Sequence, residues 1–277
     1  MPGGRRDVTS AQGRAKRAVN GDDHSDDTIR VRGGGGAWLL TRGPAARAVA
    51  RVLECRAGCV PVPGEGRGVV WRFPLPDGGQ GVLRECRRGG WIGRLLRRHY
   101  LLVNRPLREW RAHCRAWQLG LPTVEPLGVR WVWRGPFCAG LLATRYAEGV
   151  SLGRWLATEP GEAARRDCLR RVGSVTRQVH DAGLLHADLQ VRNILVTPAG
   201  EVLLLDWDRG RILNRPATPA ERSHGVFRFR RSLEKSGGAP EWFDAFLEGY
   251  GDFRPVWRVE RAWALKRALA PRAGKTE

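Results

Sequence analysis

Lysine is scarce in this chain. Of its 48 basic residues only four are Lys, at positions 16, 235, 266 and 275, so none lies between Lys16 and Lys235. Chemistry that needs a side-chain amine is excluded from that whole stretch, and arginine must carry every fixed positive charge there. The six cysteines, at 55, 59, 86, 114, 138 and 168, form no C-x-x-C pair and no metal-like spacing with His, which argues against zinc. No uncharged run approaches the roughly 20 residues that span a bilayer. The first thirty residues are polar and carry no apolar centre of the secretory kind, so the expected compartment is a reducing cytoplasm, with membrane contact from the surface only. No internal repeat is visible. Nor is there a recognition helix, zinc finger or aromatic RNA-binding strand pattern, so nucleic acid is not the expected partner.

What is present is a 277-residue chain with 42% hydrophobic and 27% charged residues and a net charge of +20. That length allows one large domain or two small lobes with a substantial core. The charge favours an anionic partner: nucleic acid, an anionic membrane surface or a phosphorylated substrate. Genome composition alone would produce part of the Arg bias.

Residues 1–30 mix both charge signs with Gly and Ser and read as a disordered tail. From about 60 the pattern becomes strand-like: "GVVWRFPL" and "GVLREC" are β-branched and aromatic runs joined by the turn-rich "PDGGQ". Leu107, Trp110, Cys114 and Trp117 predict a helix over 105–119. The stretch 121–146 then gives two or three further strands with a Gly-Pro turn. The second half changes character. Leu169, Val172, Val175 and Val179 predict a helix over 162–182, stopped by Gly183. A turn, "NILVT" and "EVLLLDWD" follow, and from about 219 the chain reads as helical. The expectation is an α+β fold of two lobes: an antiparallel-sheet N-lobe with one helix (31–147) and a mainly helical C-lobe (148–277).

Three motifs follow one another in an informative order. In "GEGRGVVW", Gly64, Gly66 and Gly68 either form a plain hairpin turn or allow backbone amides to face phosphate oxygens. In "HADLQVRN", Asp188 is either a turn carboxylate or a base for an attacking hydroxyl, and Asn193 is suited to a Mg²⁺ ligand. His186 reads as a brace for the loop. In "LLLDWDRG", Asp206 leaves a buried strand, where a carboxylate is costly unless paired or metal-bound. Asp208, two residues on, either holds a second metal or pairs with Arg209.

Taken together, H-x-D-L-x-x-x-N followed by an apolar strand ending in Asp is the order of a kinase catalytic loop and its metal-binding Asp. With "GVLRECRRGGWIGRLL" and "REWRAHCRAWQLGLPTVEPLGV" added, residues 60–235 resemble the lipopolysaccharide kinases, and among them most closely those acting on 3-deoxy-D-manno-octulosonic acid (Kdo). The resemblance implies a protein-kinase-like fold and ATP-dependent, Mg²⁺-assisted phosphorylation of a Kdo hydroxyl, the 4-position, on a Kdo-lipid A precursor. It places that work at the cytoplasmic face of the inner membrane.

By the same resemblance, Gly64, Gly66 and Gly68 would cover the ATP phosphates, and Arg84 would stand where kinases carry a Lys. Glu109 would pair with Arg84 unless it is a solvated helix residue. Asp188 would be the catalytic base, with Asn193 and Asp206 as Mg²⁺ ligands. Gln190 in place of a Lys, and the lack of an "APE"-type segment, argue against a protein substrate. Arg87, Arg88, Arg94, Arg97 and Arg98, interleaved with Trp91, Ile92, Leu95 and Leu96, either form a solvated basic loop or contact the anionic glycolipid and the inner-membrane leaflet. Two alternatives stay open: the same fold acting on a heptose or aminoglycoside-like hydroxyl, or an inactive kinase-like scaffold that binds anionic lipid.

Overall fold

The protein is described here by a computed structural model, which covers residues 29–32, 36–62, 69–86, 100, 101 and 103–268. In chain order the N-terminal elements are β1 (Ile29–Arg32), β2 (Ala37–Thr41), α1 (Ala46–Cys55), β3 (Val60–Val62), β4 (Val70–Pro74), β5 (Gln80–Glu85), β6 (Tyr100–Leu101), α2 (Arg105–Gln118), β7 (Pro126–Arg134) and β8 (Phe137–Arg145). The strands form one antiparallel sheet in the order β1-β2-β7-β8-β5-β4-β3, with β6 extending the pairing along β8. This agrees with the antiparallel lobe read from the sequence, with one helix more than expected. Helix α1 buries Ala46, Val49, Val52 and Leu53, a helical spacing that the sequence does contain. Strand β1 begins at Ile29, inside the segment read as a tail; the rest of that segment lies outside the described residues.

Strand period decides which helix each sheet residue meets, because successive side chains point to opposite faces. Leu39, Leu83, Leu141 and Ala143 pack in one cluster with Val49 and Leu53 of α1. Their neighbours Leu40 and Leu142 pack in a second cluster with Trp110 and Cys114 of α2. Arg84, next to Leu83, therefore faces α2. Trp117, expected on the buried stripe of α2, is instead 38% exposed. It stands in the last turn of α2, which ends at Gln118.

The C-terminal elements are β9 (Val150–Ser151), α3 (Leu152–Ala157), α4 (Glu162–Asp181), β10 (Leu184–Leu185), a 3-10 turn (Val191–Asn193), β11 (Ile194–Val196), β12 (Val202–Leu204), β13 (Arg211–Ile212), α5 (Pro219–Lys235), α6 (Pro240–Tyr250) and α7 (Trp257–Ala268). Helix α4 buries Leu169, Val172, Val175 and Val179 as its period demands, and Gly183 follows its end with a positive φ of 73°. Helices α4 and α6 meet at glycines: a Cβ on Gly173 would lie 2.0 Å from the Phe246 carbonyl oxygen, and one on Gly249 1.9 Å from that of Arg170. The C-terminal core also takes Ala112, Ala116 and Leu121 from α2 and the segment after it, so that helix packs into both lobes.

Candidate active site

The site is built on two loops that the C-terminal core holds side by side. The first runs from β10 into the 3-10 turn. Asn193 N–H bonds Gln190 O at 2.9 Å, and Leu205 N–H bonds Asn193 O at 2.9 Å, which ties this loop to the second one, 205–210. His186 is 4% exposed and its Nε2 donates to Leu205 O at 2.8 Å. Its ring lies against Trp207, centroids 5.0 Å apart. Burial pulls His186 below the ordinary imidazole value, so it stays neutral at physiological pH. These two contacts link one loop to the other.

Asp188 and Asn193 are brought together. The Asn193 amide donates to Asp188 O at 2.8 Å and to Asp188 Oδ2 at 3.1 Å. That use of Nδ2 leaves the carbonyl oxygen of Asn193 as the atom chemically suited to a cation. Asp188 also accepts from Gln190, from Arg192 Nη2 at 3.0 Å and from Arg228 Nη1 at 3.3 Å. Arg192 and Arg228 escaped the sequence reading. Arg192 could have been suspected from its place inside "HADLQVRN"; Arg228, forty residues away on α5, carries no sequence signal.

The second loop supplies Asp206, which lies two residues beyond the end of β12 with a positive φ of 61°. A non-Gly residue in that conformation is held there by its surroundings. Arg84 of β5 reaches across the cleft to Asp206 Oδ1 at 3.3 Å and also pairs with Glu109 of α2. Glu109 is 3% exposed. Burial pushes its carboxyl above the usual range, against the pull of Arg84. Burial acts on Asp206 in the same sense, but Arg84, His186 and the Asp208 amide outweigh it and hold Asp206 below the ordinary carboxylate value. Arg84, Glu109 and Asp206 thus form one cluster drawn from strand, helix and loop.

Asp208 does not pair with Arg209. It takes both arms of the Arg105 guanidinium at the start of α2, one of them at 2.8 Å. A further tie, also invisible in the sequence, runs from the second loop to α2. Trp207, fully buried, donates Nε1–H to Thr123 Oγ1 at 3.0 Å, and Thr123 donates to Leu204 O at 2.7 Å. His113 of α2 completes it, with Nε2 2.7 Å from Val124 O and 3.2 Å from Thr123 Oγ1. Gly64, Gly66 and Gly68, like Arg87, Arg88, Arg94, Arg97 and Arg98, lie outside the described residues.

The donors present fit Mg²⁺ in kind. Asn193 and Asp206 offer hard oxygens, and Mg²⁺ commonly takes one or two carboxylates, completing its shell with water and substrate phosphates. Among the described residues no cluster of three or more His, Cys, Asp or Glu could hold a metal by itself.

A sheet lobe and a helical lobe, with an Arg–Glu pair on one side of the cleft and an Asp–Asn loop beside a second Asp on the other, define a kinase-like phosphotransferase. The sequence pattern of the Lipopolysaccharide kinase (Kdo/WaaP) family matches residues 60–250. A protein of Xylella fastidiosa (strain M12) named 3-deoxy-D-manno-octulosonic acid kinase is 35% identical over 209 residues, which cover 74% of this chain and 79% of the relative. One of the same name from Xanthomonas campestris pv. campestris (strain B100) is 35% identical over 182 residues, 64% of this chain and 71% of the relative. The chain belongs to the lipopolysaccharide kinase family and is a phosphotransferase acting on a hydroxyl. Among the described residues, no helix is long and apolar enough to cross a membrane.

Proposed function

We propose that this protein transfers the γ-phosphoryl group of ATP to a hydroxyl of Kdo, the 4-position, on a Kdo-lipid A precursor. The observation that carries the reading is the Arg84–Glu109 pair reaching across the cleft to Asp206, whose loop is tied to that of Asp188 and Asn193. Its acceptor is suggested by the names of the relatives, and the net charge of +20 suits an anionic glycolipid and an anionic inner-membrane surface. Residues 87–98 are the proposed contact with both, from the cytoplasmic side.

In this reading Arg84 offers its guanidinium to the ATP phosphates. Arginine can do this as a charged fork where a lysine would act as a point charge. Glu109 fixes the orientation of Arg84 from the buried side. Asp188 accepts the proton of the acceptor hydroxyl as its oxygen bonds to the γ-phosphorus and the bond to the ADP oxygen breaks. Asn193 and Asp206 would hold Mg²⁺, which neutralises charge on the phosphates when bound. Catalysis is mainly positioning and electrostatic stabilisation.

The direct test is a mass spectrum of a Kdo-lipid A precursor after incubation with protein, ATP and Mg²⁺. The expected product carries one added phosphate, and Asp188→Ala gives none while remaining folded. Binding of ATP without any phosphorylated product would overturn the acceptor and point to another sugar hydroxyl.

A further inference from the structure

Asp188 is crowded by cations that the transfer reaction itself does not require. Arg192 approaches one carboxylate oxygen from the 3-10 turn at 3.0 Å, and Arg228 approaches the other from α5 at 3.3 Å. The two elements are docked together, because Val191 N–H bonds Ser232 Oγ at 3.1 Å, one helical turn beyond Arg228. Arg228 is further steadied by the Trp263 ring of α7, 5.8 Å from its guanidinium carbon. Both side chains keep a solvent face: Arg192 is 66% exposed and Arg228 40%. Exposed ion pairs of this kind are individually weak and exchange partners readily.

A hydroxyl can deliver its proton to Asp188 only by reaching a carboxylate oxygen. Those oxygens already accept from Gln190, Arg192, Asn193 and Arg228. Gln190, Arg192 and Asn193 all belong to the loop itself, but of the three Arg192 is the long, mostly exposed one. The two arginines are the donors with somewhere else to go, provided the acceptor brings an anion of its own. An acceptor that is a sugar acid does so: its carboxylate sits a few bonds from its ring hydroxyls, within reach of guanidinium groups that now rest on Asp188.

We propose that Arg192 and Arg228 recognise the carboxylate of the acceptor sugar, exchanging the Asp188 carboxylate for it and opening Asp188 to the hydroxyl. Two guanidiniums converging from different elements select an acidic sugar over a neutral one, because a neutral sugar offers nothing to replace Asp188 and leaves the oxygens covered. The inference deepens the acceptor assignment above and rests on it.

The test compares the wild-type protein with Arg192→Gln, Arg228→Gln and Arg228→Lys, using a Kdo-lipid A precursor and the same lipid with its Kdo carboxyl converted to the methyl ester. Each Gln variant is expected to raise KM for the acid about tenfold, with KM for ATP changed less than about twofold. Arg228→Lys should recover part of the loss. The ester should be a poor acceptor for the wild type and no poorer for the variants. Wild-type turnover with an unchanged acceptor KM in both Gln variants, or an ester as good as the acid, overturns the clamp and leaves the kinase reading standing. A fall in kcat alone also overturns it, and would reduce the arginines to a structural support for Asp188. No phosphorylation of the acid by the wild type, with ATP still bound, removes the acceptor assignment and the clamp together.

Discussion

Arg84 and Glu109 pair across the face of the sheet that α2 covers, and the same guanidinium reaches Asp206 in the loop of the other lobe. One side chain therefore joins the sheet, α2 and the proposed metal-binding loop. The arrangement depends on a group that can address two carboxylates at once, which the planar guanidinium does.

Replacing Glu109 by Gln should loosen that junction. Arg84 would keep Asp206 but lose the charge of its buried partner, at a cost of about 2 kcal/mol in stability. ATP binding should weaken by about tenfold or more, because Arg84 is no longer oriented. Chemical denaturation and a nucleotide titration check the two parts separately. Unchanged ATP affinity would remove Glu109 from the positioning role.

Asp206 and Asp208 should behave differently. Asp206→Ala is expected to abolish the Mg²⁺ dependence of ATP binding. Asp208→Asn should lower stability by about 1–2 kcal/mol through loss of its charged fork with Arg105, yet leave the Mg²⁺ titration in place. A lost Mg²⁺ response in Asp208→Asn would make it a metal ligand instead.

Buried imidazoles set an acid limit on stability. Burial holds His113 and His180 at about 3, and His186 is shifted in the same direction. Each is near 6.5 in the unfolded chain. A histidine with a depressed folded value favours the native state fully above its unfolded value, and that contribution is lost as pH falls from about 6.5 towards 3. Each such residue should add up to about 1.4 kcal/mol of destabilisation per pH unit in that window. Denaturant midpoints measured between pH 7 and 5 should fall, and less steeply in His180→Gln, which lacks the titrating ring beside Tyr250.

The α4–α6 crossing tolerates no side chain at its closest point. Gly173→Ala would place a methyl 2.0 Å from the Phe246 carbonyl oxygen and 2.7 Å from the Tyr250 nitrogen. The helices must separate, at a cost of about 3 kcal/mol or more. Thermal unfolding measures this directly; a melting temperature equal to the wild type would contradict the packing described.

Reversing the charge at Arg94, Arg97 and Arg98 should strongly weaken binding to anionic liposomes at low salt, where surface attraction is greatest. Binding that is unchanged would remove residues 87–98 from the membrane contact.

Much of this protein was legible from spacing alone. Period 3.6 located α2 and α4, β-branched and aromatic runs joined by a turn located β4 and β5, and the order of Asp188, Asn193 and Asp206 pointed to phosphoryl transfer, because such patterns lie within short stretches of chain and need no distant partner. Even the Arg84–Glu109 pair could be anticipated, since kinases place those two functions on a strand and the helix after it. Helix α1 is legible in the same way, in the spacing of Ala46, Val49, Val52 and Leu53. What tertiary structure alone decided are the pairings between distant segments: Arg105 with Asp208, Trp207 with Thr123, Arg228 with Asp188. No period links residues 103, 84 or 40 positions apart. Their side chains meet because the lobes pack α2, α5 and two loops around one cleft, and hydrogen bonds reaching about 3 Å can form only after that packing has fixed where each backbone lies.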